Sequence, residues 1–254
     1  MKVGCCAYSY RQMLTSGEMS LEAFIEKAYA IGLDGVELTA YYFQTTDKPF
    51  LHHIKRLALT KGVEISGTAI GGAFCQDDGP RAEHIAMAKR WVDVTATLGA
   101  PWMRVFAGPV PEGADEKQAF AWAVAGLQEI ATYAGEQGIT IGLENHGGLT
   151  ASFQGLKALL DAVDSPWLAA NLDLGNYTHG DDPYGEIAAT APLAINVHAK
   201  TTMGDGQALD YPRIITLLRD AGYQGYLSLE YEDEQDPVIA VPRFTTYVKT
   251  LTRW

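Results

Sequence analysis

Four places in the chain set a metal-binding or acid–base side chain at the end of a short apolar run. Ile139 to Leu143 leads into Glu144-Asn145-His146-Gly147-Gly148, and Trp167 to Ala170 leads into Asn171-Leu172-Asp173-Leu174-Gly175-Asn176. Leu193 to Ile195 leads into Asn196-Val197-His198-Ala199-Lys200, and Gly225 to Leu227 into Ser228-Leu229-Glu230-Tyr231-Glu232. A lone carboxylate at a strand end is most often a capping or ion-pair group. Four successive ends of this kind are hard to explain as unrelated surface charges. If they converge, Glu144, Asp173, His198 and Glu230 make a mixed carboxylate and imidazole set. Such donors suit one divalent ion, Mn²⁺, Mg²⁺, Co²⁺ or Zn²⁺.

Convergence requires a scaffold that brings strand ends together. Apolar runs of strand length alternate with helix-spaced patterns: Leu21, Phe24, Ile25 and Ala28 behind the N-cap candidate Ser20; Ile85, Ala88, Val92 and Leu98; Phe120, Val124, Leu127 and Ala134; Leu156, Leu159, Leu160 and Val163. Gly32, Gly62, Gly99, Gly138 and Gly222 stand where helices should stop. The spacing predicts eight strands alternating with eight helices, each unit ~30 residues long. No linker interrupts the pattern, so residues 1–254 read as one domain, an α/β chain closed as a (β/α)₈ TIM barrel. An open doubly wound sheet would more usually carry a glycine-rich phosphate loop after its first strand, and Tyr8-Ser9-Tyr10-Arg11 is not one. In a barrel the active site lies at the C-terminal strand ends, where all four charged ends fall. Residues 71–80, after the third strand, form a glycine-flanked loop that reads as a lid or as an ordinary surface loop.

Composition narrows the partners. With 47% hydrophobic residues the chain can bury a large core, and no run of ~18 apolar residues suggests a membrane span. The net charge of −12 and the absence of a Lys/Arg cluster argue against nucleic acid. Three cysteines, two of them adjacent, are not a disulfide framework; one of Cys5 and Cys6 should pack in the core, since neighbours on a strand face opposite ways. Without a signal-peptide pattern at its start, the chain reads as cytoplasmic. A homo-oligomer is compatible with all of this.

From Gly142 to Glu232 above all, the sequence resembles the xylose isomerase-like barrels, the sugar phosphate isomerase/epimerase group that includes ketose 3-epimerases, hydroxypyruvate isomerases and inosose dehydratases. The resemblance implies one metal ion held by Glu144, Asp173, His198 and Glu230, with manganese a common choice. It also implies that Glu144 and Glu230 double as catalytic acid/base groups on opposite faces of the substrate. Glu232 is an alternative to Glu230 but lies farther from the strand end. The implied activity is a metal-dependent sugar or keto-sugar isomerase or epimerase in carbohydrate metabolism, with proton transfer through an enediolate. The alternative is a lyase or dehydratase on a keto-sugar or inosose-like substrate. A non-catalytic sugar-binding barrel would not need the full ligand set, and the repair endonucleases that share the barrel use more histidines.

Two positions depart from the ketose epimerases. Asn176 stands where many carry a His, and residues 201–207 contain no Arg, which leaves Lys200 as the nearby cation. Both changes imply altered contacts with a small sugar substrate. His146, Asn176, Lys200 and Glu37 are the candidate substrate-binding residues, Glu37 as the polar end of the second strand, where a core-edge ion pair is the other reading. Tyr8, Trp102 and Phe106 read as an apolar wall of the site or, more commonly for such aromatics, as plain barrel packing. His52 and His53 should face solvent on a helix, and neither His84 nor His179 carries a role.

Overall fold

The computed structural model describes residues 1–178 and 180–252; His179 lies outside them. The strands are β1 Lys2–Cys6, β2 Gly35–Thr39, β3 Glu64–Ala69, β4 Trp102–Val105, β5 Thr140–Glu144, β6 Leu168–Asp173, β7 Ala194–Ala199 and β8 Tyr226–Leu229. They close in chain order into one barrel, and β8 pairs parallel with β1. The α-helices are α1 Arg11–Ser16, α2 Leu21–Ala30, α3 Lys48–Lys61, α4 Asp78–Leu98, α5 Glu116–Glu136, α6 Phe153–Val163, α7 Pro183–Thr190, α8 Tyr211–Asp220 and α9 Pro237–Thr252. The short α1, inserted between β1 and α2, is the helix that the sequence pattern does not predict. None of the described helices is long and apolar enough to cross a membrane.

The local signals account for the element ends. Ser20 Oγ accepts the Ala23 amide at 3.2 Å and so caps α2, as its side chain and position predict. Gly62 and Gly99 end α3 and α4 in the left-handed region, with φ of 69° and 80°, where a side chain would be strained. His52 and His53 are exposed on α3, as expected.

Apolar side chains fill two clusters in the layer that includes the helices and the outward strand residues. Cys5 joins one of these clusters. Cys6 is also wholly buried but lies beside Glu37 and His198, so both cysteines of the pair are interior, not one. Inside the barrel, Trp102 lies against two glycines. A Cβ on Gly67 would come within 2.3 Å of its ring, and one on Gly142 within 3.3 Å. Trp102 therefore plugs the barrel interior instead of walling the site. The loop after β3 is tied down: Phe74 and Cys75 are buried, and both amides donate to the Ala107 carbonyl, at 2.8 and 3.2 Å. It behaves as an anchored surface loop, not as a lid over the strand ends.

Candidate metal and active site

Strand alternation turns every second residue inward, so each chemistry-bearing strand contributes an inner pair. Register aligns these pairs across the barrel: Glu144 with Asn171, Asp173 with His198, and His198 with Ser228. Glu144 and Asp173 are the last residues of β5 and β6, His198 lies one residue inside the end of β7, and Glu230 follows β8 directly.

Three carboxylates meet at one ring nitrogen. Glu144 Oε2 lies 3.3 Å from His198 Nδ1, Glu230 Oε2 3.4 Å and Asp173 Oδ2 3.9 Å. Donor atoms of Glu144, Asp173 and His198 all fall within 4.8 Å of one another. That spacing fits donors sharing an ion at the ~2.0–2.3 Å bond lengths of the divalent metals. Asp173 supplies the sharpest test. Its Oδ1 accepts the Gly175 amide at 2.8 Å, while its wholly buried Oδ2 has no hydrogen-bond partner. Lys200 Nζ lies 3.3 Å from that oxygen, an ion-pair contact that does not make a hydrogen bond, so a lone pair there stays open to an ion. The donor set therefore fits a divalent ion.

An amide network fixes the ligands. Asn171 Nδ2 donates to Glu144 Oε2 at 2.8 Å, and Asn196 Nδ2 donates to Asn171 Oδ1 at 2.8 Å. Asn145 clamps the Asp173 backbone from both sides, accepting its amide at 2.7 Å and donating to its carbonyl at 2.9 Å. Sequence reasoning passed over Asn145, Asn171 and Asn196. The available signal was that each precedes or follows a ligand by one or two residues.

Glu37 takes the ion-pair position of its two readings. It sits within β2, wholly buried, and is not among the residues lining the cavity above the ligands. Its Oε1 and Oε2 lie 2.9 and 3.0 Å from His198 Nε2, and Ser228 Oγ donates to Oε2 at 2.8 Å. Glu37 therefore stands behind the imidazole, on the side away from the three carboxylates. An ionised carboxylate can only accept, so Nε2 carries the proton and Nδ1 is left facing the carboxylates. Glu37→Gln is expected to weaken divalent-metal affinity by about 10-fold, the low end of the usual range, because the amide oxygen still accepts the Nε2 proton. Titration of chelator-stripped protein with Mn²⁺ measures this, and equal affinity in wild type and variant would refute it. Cys6 also lies within reach of Glu37 and His198. Burial raises its thiol well above the ordinary value, with Glu37 and Glu230 adding to the rise, so it stays protonated and is a poor ligand.

The charges are interdependent. Burial opposes ionisation of Glu144, yet Arg104 and His198 hold its carboxyl below the ordinary value. Burial opposes ionisation of Glu230 too, but His198 and Lys200 hold it well below. Burial pushes Asp173 up to about 8, against the pull of Lys200. Burial alone would lower His198, but Glu230, Glu37 and Glu144 raise it well above its usual range. The metal-free cluster thus keeps protons on His198 and Asp173, and metal uptake must displace them.

Above the ligands lies a cavity of about 140 Å³, lined by Tyr8, Tyr41, Arg104, Phe106, Glu144, His146, Lys200, Glu230 and Glu232. His146 stacks on Phe106, with ring centroids 4.1 Å apart. Lys200 Nζ lies 2.8 Å from Glu232, 3.3 Å from Asp173 and 3.5 Å from Glu230. Glu232 is therefore a partner of Lys200 at the rim, while Glu230 lies nearer the imidazole. Asn176 Nδ2 reaches Glu144 Oε1 at 3.4 Å and lines a second cavity of about 260 Å³, which shares Lys200 and Glu232. Arg104 went unrecognised in the sequence, although a charge in the middle of the short β4 was a usable signal. A larger cavity, about 730 Å³, has Glu64, Trp102 and Tyr226 in its lining, residues that begin strands, and so opens at the other end of the barrel from the ligands.

A closed parallel (β/α)₈ barrel with acid, amide and imidazole groups gathered at its C-terminal strand ends defines a class of enzyme-like barrels. This chain belongs to the xylose isomerase-like TIM barrel family, whose profile matches residues 25–251. It is 27% identical over 176 residues to a Xenopus laevis protein named "Putative hydroxypyruvate isomerase", the match covering 62% of this chain and 64% of the relative. The human protein of that name is 26% identical over 170 residues, covering 59% and 60%. The matched stretch is thus less than two thirds of either relative's length. Among solved structures, D-psicose 3-epimerase from Clostridium cellulolyticum H10 superimposes with a TM-score of 0.84 at 16% identity, covering all of both chains. The 3-keto-D-glucoside 4-epimerase of E. coli gives 0.80 at 15% identity, covering 98% of this chain and 99% of the other. At those identities the likeness is one of fold.

Proposed function

We propose that the chain is a divalent-metal-dependent isomerase or epimerase acting on a sugar, keto-sugar or small hydroxy-keto compound. The observation that carries this reading is the approach of three carboxylates to His198 Nδ1, with Asp173 Oδ2 buried and without a hydrogen bond. Glu144, Asp173, His198 through Nδ1 and Glu230 would hold the ion. When bound, it supplies Lewis-acid stabilisation of the negative charge that develops on a substrate oxygen beside the reacting carbon.

The chain supplies the rest. Glu144 and Glu230 both line the cavity and both approach His198, so a substrate seated there would have two carboxylates within reach. One takes the proton from the carbon next to the carbonyl, and the other returns it. Return to the opposite face of the same carbon epimerises it, while return to the neighbouring carbon exchanges carbonyl and hydroxyl. Asn171 and Asn176 hold the Glu144 oxygens, so the carboxylate is aimed before substrate arrives. Tyr8, Tyr41 and Phe106 line the cavity and give part of its wall aromatic surface. The names of the relatives, sugar epimerases and hydroxypyruvate isomerases, agree with such proton transfer beside a carbonyl.

The test is NMR in D₂O with Mn²⁺-loaded protein and a panel of D-psicose, D-fructose, D-tagatose, a 3-keto-glucoside and hydroxypyruvate. Deuterium should enter a C–H bond next to the carbonyl of at least one compound, and EDTA should stop it. Exchange that persists in fully metal-stripped protein would overturn the metal assignment. No exchange in any compound with any of the four candidate ions would overturn the reaction.

A further inference from the structure

Arg104 and Lys200 are the strongly basic groups at the cavity, and the proton-transfer reading gives Arg104 no task. Its side chain is only 3% exposed, yet it lines the cavity. Its Nε and Nη1 are buried without a hydrogen-bond partner, and the guanidinium carbon sits 4.0 Å from the centre of the Phe106 ring. The ion-pair contact it makes is with Glu144 Oε2, 3.5 Å from Nε, an oxygen that already accepts from Asn171 and approaches His198. Once Glu144 shares its charge with a metal ion, less of that charge remains to offset the guanidinium. With Phe106 against one face of the guanidinium, the nitrogens at its edge, Nε and Nη1, are the atoms left without a hydrogen bond. Lys200, the other cation at the cavity, is already committed to Asp173, Glu230 and Glu232.

We propose that Arg104 determines specificity by binding a carboxylate of the substrate, and that the site therefore takes a small hydroxy-keto acid in preference to a neutral sugar. The inference rests on the isomerase or epimerase reading for its chemistry, though not for its binding test. A planar guanidinium matches a carboxylate with two parallel N–H···O bonds, which a hydroxymethyl group cannot reproduce. Removing such a partner leaves a buried donor unpaired, so discrimination should be large.

Hydroxypyruvate and dihydroxyacetone form a matched pair, since they differ only in a carboxylate in place of a hydroxymethyl group. Binding of each to Mn²⁺-loaded protein is measured by calorimetry, and deuterium exchange into each is followed separately by NMR. Wild type should bind hydroxypyruvate roughly 10- to 100-fold more tightly than dihydroxyacetone. Arg104→Met should collapse that ratio towards one, with the loss in KM more than in kcat where turnover is seen, and Arg104→Lys should recover part of it. Equal binding of the two compounds by wild type overturns the proposal and needs no variant. So does a ratio that survives in Arg104→Met. A binding preference without deuterium exchange in any compound supports the role of Arg104 and instead overturns the isomerase reading.

Discussion

Turnover is expected to fall by about 10²–10⁴-fold in Glu144→Gln and in Glu230→Gln, and excess metal should not restore it. Glutamine keeps the length and shape of each side chain and retains an oxygen that can face an ion. It cannot take up a proton from carbon. Glu144 already accepts from Asn171 at 2.8 Å and Asn176 at 3.4 Å, so the amide oxygen can satisfy one donor while the amide nitrogen is forced against the other. In Glu230→Gln the carboxylate 3.4 Å from His198 and 3.5 Å from Lys200 is neutralised, and both cations lose a partner. Loss of proton transfer should therefore be accompanied by some loss of metal affinity, and the two are separated by measuring kcat across a metal titration. Turnover within ten-fold of wild type at saturating Mn²⁺ in either variant would remove that glutamate from acid–base catalysis.

Asp173→Asn should behave differently, as a metal-binding lesion with little cost to the metal-free fold. In the metal-free protein the Asp173 carboxyl is pushed up to about 8 by burial, against Lys200, so at neutral pH it is already largely protonated. An amide of the same shape replaces it without burying a new charge, and its oxygen can still accept the Gly175 amide. The amide nitrogen then occupies the place of Oδ2, presenting a donor where a ligand is needed and facing Lys200. A ligand present at 100–1,000 times its dissociation constant stabilises a fold by about 2.7–4.1 kcal/mol. For a domain of this size that is a rise in Tm of roughly 5–15 °C. Wild type should show this rise on adding Mn²⁺ and lose it with EDTA, whereas Asp173→Asn should start near the metal-free Tm and not rise. A full metal-induced shift in the variant would mean that Asp173 is not a ligand.

The repeating architecture and the positions of the four acidic or imidazole strand ends were legible along the chain, because both are local. A strand, a helix and a terminating glycine each need only a few neighbouring residues to declare themselves, and the alternation of eight such pairs leaves few ways to close a sheet. Where the sequence reading departed from the structure, the cause was cross-barrel contact. Glu37 and His198 are 161 positions apart, and nothing near Glu37 says that its oxygens meet an imidazole instead of a substrate. Trp102 reads as an aromatic near the site until Gly67 and Gly142 place it inside the barrel. Arg104 reads as one charge within β4, and its meaning comes from Phe106 beneath it, Glu144 beside it and the cavity ahead of it. The sequence by itself thus determined the scaffold and the donor types delivered to its C-terminal face. The tertiary structure decided which nitrogen of His198 faces the carboxylates, which oxygen of Asp173 meets Lys200 without a hydrogen bond, and how Lys200 and Arg104 divide the carboxylates between them. Those outcomes depend on distances between strands far apart in sequence, and local propensity carries no information about such distances.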